Sequence, residues 1–335
     1  MNDGLNTYVG LFTGRYGWTS AQLLTYSTYA GWASILVIIA YTQFARRRGA
    51  RMTAIVAMTV AAAGMFLWAR VTTQAMYFVS VLLLVSSSSA IMVIRDTTLN
   101  NWFPTKKGLA LGWSTIGYPL CTMIFPFVTN FLMGNFGVES MFTAIAVFVL
   151  IFAVISIFWC KNTPEEVGRA PDNDPLSAEE IKASQAAARA YKSPWTMKRL
   201  LKTPQTWLIG IGMGLLWMVT VAIVSQLVSR LMGAGYERTA AVGMLSVMGF
   251  FGIFGSYIWG FIDLKIGTRK ATYIYAAWYA VALLLLIFAK LPIFTYIAIV
   301  FVGLGIGGLL EKYPYEVSGG QKQRAAVAWA VITEP

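Results

Sequence analysis

Nine stretches of this chain are each apolar over about 20 residues, the length a helix needs to cross the hydrocarbon layer of a bilayer. They run over 21–44, 52–70, 75–94, 108–133, 139–160, 205–231, 239–262, 271–290 and 292–310. Between them stand turn or charge signals: ARRRGAR, RVTTQ, NWFPTKKG, GNFGVES, GAGYERT, DLKIGTRK and KLP. The span length and the lack of a two-residue alternation predict helices rather than a barrel. Composition agrees, with 57% hydrophobic and 12% charged residues among 335 and a mean hydropathy of +0.63. A soluble domain of this length needs far more surface charge.

The net charge of +12 is positional. Basic residues crowd into every second loop: Arg46, Arg47, Arg48 and Arg51; Arg95, Lys106 and Lys107; a run from Lys161 to Lys202; then Lys265, Arg269 and Lys270. The other loops hold Arg15, Arg70, Arg230, Arg238 and Lys290. This is the positive-inside pattern, so the crowded side is expected to be cytoplasmic, the N-terminus outside and the tail after 310 inside. With the charges in loops between spans, nucleic acid is not an expected partner. The chain lacks histidine, which excludes a histidine relay or a His-based metal site. Cys121 and Cys160 fall at different depths of their spans and make no metal cage. The start, MNDGLNTYVGLFTGRYGW, lacks the basic-then-apolar order of a signal peptide.

One long polar segment, 161–204, reads as a cytoplasmic linker with a short surface helix, in which Ser177 and Glu180 have capping-box spacing. It divides five spans from four. Each group contains a very short, basic, glycine-bearing turn after an inward-running span: ARRRGAR with Gly49, and DLKIGTRK with Gly267. Two turns of one kind suggest two related halves, as in many secondary transporters.

GFIDLKIGTRK, Gly260 to Lys270, resembles the signature loop G-x-L-A-D-R-x-G-R-K of the major facilitator superfamily, with Asp263 one position early. NWFPTKKGLALG followed by GYP, and KNTPEEVG after the fifth span, are similar to oxalate/formate antiporter-like and monocarboxylate facilitators. The resemblance covers about residues 8–310. It implies an all-α helical bundle in two pseudo-repeated halves, 1–160 and 205–310. The first family helix and the last two have no counterpart among the nine spans. It also implies an inward gate formed by Gly260, Asp263, Lys265, Gly267, Arg269 and Lys270, with Arg51 pairing with Asp96 in the first half.

Facilitators bind solute near the bilayer midplane, where an ionisable residue would mark function. This sequence has none in mid-span. The cavity candidates are therefore uncharged: Tyr118 and Thr122 on the fourth span, Trp217, Thr220 and Gln226 on the sixth, and Tyr257 on the seventh. Trp217 and Thr220 are three apart and share a face. Ser86 to Ser89 surround their helix, and Gly112 and Gly117 are expected to allow close packing beside Pro119 and Pro126.

The tail differs from everything before it. YPYEVSGGQKQR and the helix-like run AAVAWAVI resemble the signature of ABC-transporter ATPases, with Ser318, Gly319, Gly320 and Gln321 on the motif. In that family the motif's backbone N–H groups hold the γ-phosphate of ATP. No G-x-x-x-x-G-K-[ST] loop occurs anywhere in the chain, so ATP binding is not expected. These readings converge on a truncated, chimeric facilitator: not an enzyme, without cofactor or metal, moving a small organic solute (a carboxylate is one class) across the plasma membrane. Its seam lies near Leu310, with the ABC-like fragment over 311–335. The alternative is an ABC-system component with a functional tail. Composition and motifs leave oligomeric state undetermined.

Overall fold

The computed structural model describes residues 11–104, 107–174, 179–180, 197–288 and 292–311. The regular elements are α1 (Ser20–Ala69), α2 (Gln74–Trp102), α3 (Lys107–Thr115), α4 (Gly117–Trp159), α5 (Met197–Lys202), α6 (Pro204–Gly233), α7 (Arg238–Ile266), α8 (Thr268–Ile287) and α9 (Pro292–Glu311). All nine expected spans are helical through their apolar middles, and the described residues contain no strand. Six helices among the described residues are long and apolar enough to cross a bilayer, and the chain is a multi-pass, all-α membrane protein.

Two helices are too long to be single spans. At 1.5 Å per residue, α1 would reach about 75 Å, more than twice the roughly 30 Å hydrocarbon layer. The extra length is resolved at one residue. Gly49 sits at φ 84, ψ 163 inside an otherwise helical run. Its neighbours' contacts give the sense of the turn. Before it, Tyr26 donates to Gln74 (3.0 Å), Ser27 meets Tyr77 (3.3 Å) and Tyr41 meets Ser87 (3.4 Å), so the two helices ascend together. After it, Ala57 packs with Ala90 and Ile94, while a Cβ on Gly64 would lie 3.0 Å from Leu83 Cβ, so the order runs backwards. The chain reverses at Gly49.

The same backbone conformation recurs twice. Gly137 divides α4 at φ 81, ψ 169, and Gly267 joins α7 to α8 at φ 82, ψ 150. When one residue separates two regular helices, its φ and ψ set their relative direction. The fold therefore repeats one helix–glycine–helix device three times. Only glycine occupies this region without strain.

Contacts group the chain into two compact units, 8–107 with 129–193, and 108–128 with 194–331. Residues 108–128, which chain order places in the first half, thus cluster with the later helices. In the first unit, span 138–159 runs against 50–69, with Trp68 stacked on Phe142 at 5.3 Å and Ser156 reaching Met58 at 3.8 Å. Residues 11–16 form a helical turn over the end of this unit opposite Gly49. Phe12 is buried there against Trp68 and Tyr77, and Tyr16 donates to the Val71 carbonyl at 2.6 Å. Thr19 and Gln22 then form a reciprocal capping box that starts α1. The serine run is used for packing: Ser86 and Ser87 are buried, and Ser86 and Ser88 bond back to carbonyls of their own helix.

The start of the linker folds back on the Gly49 turn. Asn162 Oδ1 accepts from the Arg51 amide at 2.8 Å, filling an orphan donor at the start of the new helix. Its Nδ2 donates to Glu166 at 3.0 Å, its carbonyl accepts from Asn101 at 3.3 Å, and the Lys161 carbonyl accepts from Trp102 at 3.2 Å. KNTPEEVG is thus a clamp joining the Gly49 turn to the end of α2. Asn162→Ala is expected to cost about 1 kcal/mol, the usual worth of a cap. Thermal unfolding in micelles checks this; an unchanged midpoint would remove the clamp from the account. The expected Ser177 cap lies outside the described residues.

Candidate functional site

All six cavity candidates belong to the second unit. The structure brings some of them together. Tyr118 and Trp217 pack on one apolar cluster that includes Ile223, Val224 and Leu227 of α6 and Met248 of α7. Thr220 is buried in mid-α6, bonds back to the Leu216 carbonyl at 3.1 Å, and stands beside the hydroxyls of Tyr275 and Tyr279 on α8. Thr122 is buried and bonds back to the Tyr118 carbonyl at 3.2 Å. Gln226 does not join them. It lies nine residues after Trp217, half a turn away on the helical wheel, and is exposed. Tyr257 is also exposed and meets Trp113 edge-to-face at 6.2 Å.

Beside Thr220 lies a group that the span-by-span reading passed over. α7 and α9 approach so closely that a Cβ at Gly255 would overlap the Leu304 carbonyl, and one at Gly303 would lie 2.5 Å from the Met248 carbonyl. At this approach three aromatic side chains donate to α9 carbonyls: Trp259 to Leu304 (2.9 Å), Tyr275 to Gly305 (2.9 Å) and Trp278 to Phe301 (2.7 Å). Positions 301, 304 and 305 share one helix face, and each carbonyl has a second lone pair to give. In lipid these donors have no water to turn to, so they find backbone. Tyr279 is buried with its ring against Gly305, where a Cβ would lie 2.6 Å from its Cε2, and its hydroxyl has no bond of normal geometry. The signal was present in sequence as Tyr275, Trp278 and Tyr279 at i, i+3 and i+4 opposite the glycine-rich GLGIGG.

Close packing is also achieved at glycines beyond those expected. Nothing lies within 4 Å of a Cβ placed at Gly117. Instead Gly249 and Gly252 of α7 receive α4: a Cβ at Gly249 would lie 2.7 Å from the Met123 nitrogen, and one at Gly252 would lie 2.8 Å from Pro119 Cβ. Pro119 stands in the first turn of α4, where its missing N–H costs nothing, and the helix continues through Pro126.

At the basic turn between α7 and α8, Gly267 holds the glycine-only conformation and Lys265 lies 5.8 Å from the Phe261 ring. Lys265 and Lys270 are exposed, whereas Gly260, Asp263 and Arg269 are described by backbone alone. Arg51 does not pair with Asp96. Its guanidinium donates to the Ile157 carbonyl, and buried Asp96 is held by Arg95 at 2.7 Å. The Asn162 clamp fixes where Arg51 starts its helix and turns it toward the end of α4. Ser318, Gly319, Gly320 and Gln321 lie outside the described residues.

Comparison with known proteins fits this arrangement. The chain is 24% identical over 231 residues to the uncharacterized MFS-type transporter YhjX of Escherichia coli, covering 66% of this chain and 52% of that one. It therefore spans about half the length of that relative. Its fold is similar to the crystal structure of a bacterial homolog of the human lysosomal transporter Spinster, inward-facing and unoccupied. The TM-score is 0.61 at 13% identity, over 99% of this chain and 75% of the other. A separate match of 32 residues, 62% identical, is to a putative ABC transporter ATP-binding protein, MG467, of Mycoplasma genitalium, a tenth of each chain. The profile of the Major Facilitator Superfamily matches residues 1–314, nearly the whole chain and every helix described above, and the chain belongs to that family.

Proposed function

We propose that the chain is part of a secondary transporter that moves a small organic solute by alternating access, with its cavity on the α6–α8–α9 side of the second unit. The observation that carries this reading is the buried hydroxyl group of Thr220, Tyr275 and Tyr279. It stands near the middle of helices that have no lysine or arginine between Trp207 and Val228 or between Ala271 and Ala289. Hydroxyls at that depth can exchange hydrogen bonds with a solute and need no countercharge. They favour an uncharged, hydrogen-bonding solute over a carboxylate, which would need a buried cation. Trp217, Tyr118 and Thr122 supply the adjoining wall, and Gln226 and Tyr257 stand outside it.

Proteoliposomes containing the chain, tested with neutral polyols and sugars against mono- and dicarboxylates, decide between these classes. Uptake of a neutral solute is expected, with KM raised about tenfold in Thr220→Val, the worth of one hydrogen bond to a buried partner. Carboxylate uptake that is indifferent to Thr220→Val would overturn the assignment. The basic turns at Gly49 and Gly267 are proposed to face the cytoplasm of a plasma membrane, with the N-terminus outside.

The short ABC match favours a second reading, in which the tail belongs to nucleotide chemistry. Its length and kind suit a segment joined on from another family. Saturable ATP binding by the chain alone would support a functional tail.

A further inference from the structure

The first unit carries an open groove of about 680 Å³ at the end opposite the Gly49 turn, between the end of α1 and the second half of α4. Its mouth is polar and its length is apolar. Arg70, the residue that closes α1, stands at the mouth with its guanidinium 3.7 Å over the Phe66 ring and a 3.3 Å bond to the Phe66 carbonyl. These contacts fix the cation without neutralising it. The one carboxylate lining the groove, Glu139, is taken by Arg15 at 2.9 Å, a hydrogen bond that also holds Arg15 above its ordinary pKa. The mouth therefore keeps a net positive charge.

Below it, Ser140, Thr143, Ala144, Val147, Phe148 and Ile151 follow at helical spacing along one face. From Ser140 to Ile151 is about 16 Å of helix rise, close to the half-thickness of the hydrocarbon layer. From Arg51, at the basic turn, to Arg70 is about 29 Å, the full layer. Arg70 thus stands at headgroup level and Ile151 near the bilayer centre.

We propose that this groove is a site for an anionic phospholipid, with the phosphate on Arg70 and the hydroxyl of Ser140, and an acyl chain running past Thr143, whose proton is held by the Glu139 carbonyl at 2.8 Å, along Ala144, Val147, Phe148 and Ile151. The charge selects the headgroup and the length selects the chain. A free phosphate ester would use only the mouth. A zwitterionic lipid would bring a second cation to a site whose only carboxylate is occupied.

Native mass spectrometry of the full chain in micelles, titrated with dioleoyl phosphatidylglycerol or dioleoyl phosphatidylcholine, tests the proposal. Wild type is expected to retain one phosphatidylglycerol at least tenfold more tightly than phosphatidylcholine. Arg70→Gln is expected to erase that preference while Arg70→Lys keeps most of it, and Ala144→Trp, which fills the groove, is expected to lower retention of both lipids. Equal retention of the two lipids by wild type, or unchanged retention in either Arg70→Gln or Ala144→Trp, would overturn it. Competition by glycerol 1-phosphate at the same concentration would do so as well. A melting curve on each variant separates lost lipid from lost fold.

Discussion

Gly255→Ala is expected to destabilise the second unit by about 3 kcal/mol or more, at the upper end of overpacking costs. The added methyl would overlap the Leu304 carbonyl, a backbone atom that no rotamer change can move. Relief requires α7 and α9 to separate. Separation would stretch the Trp259 bond to Leu304 and disturb the Tyr275 bond to Gly305, one residue along α9. One methyl thus strikes a close approach and the polar contacts that depend on it. Gly243→Ala, on the same helix, is the control. It meets nothing within 4 Å and should be neutral or slightly stabilising, because alanine is the better helix former. Thermal unfolding of both variants in micelles decides the matter: a Gly255→Ala midpoint equal to that of Gly243→Ala would mean that α7 and α9 do not approach as described.

This case marks the limit of what the sequence could show. The spans, the all-α class and the short basic turn at Gly267 were legible, because lipid imposes length and charge rules that a single chain displays openly. The kinship of Gly49 and Gly267 was legible because both sit in short basic turns, and the structure gives them nearly the same φ and ψ. The third copy at Gly137 was hidden in GNFGVES, a loop with no positive charge to draw attention. Partnerships were less legible still. Nothing in the spacing says that Asn162 rather than Asp96 meets Arg51, or that Gly249 and Gly252 rather than Gly117 receive a neighbouring helix. Such pairings depend on which helix lies alongside. In a membrane that is settled by small-residue packing and backbone hydrogen bonds, which leave little periodic trace.

The three glycine turns permit a sharper test, because they share a conformation but differ in surroundings. Alanine at Gly137 or Gly267 would meet open space, so its cost is that of the backbone region alone, about 1–3 kcal/mol. Alanine at Gly49 would carry that cost and also place its methyl 2.7 Å from Asn162 Oδ1. That oxygen is held by the Arg51 amide and its amide nitrogen by Glu166, so it cannot swing away without releasing the clamp. Gly49→Ala is therefore expected to be the most damaging of the three. A double-mutant cycle isolates the collision. In an Asn162→Ala background the side chain is gone, and Gly49→Ala should then cost no more than Gly137→Ala does in wild type. The coupling between positions 49 and 162 should be about 1 kcal/mol or more, well above the few tenths seen for independent sites. A strictly additive cycle would show that Asn162 does not stand over the Gly49 turn. If all three alanine variants melted with wild type, the shared glycine conformation itself would be wrong.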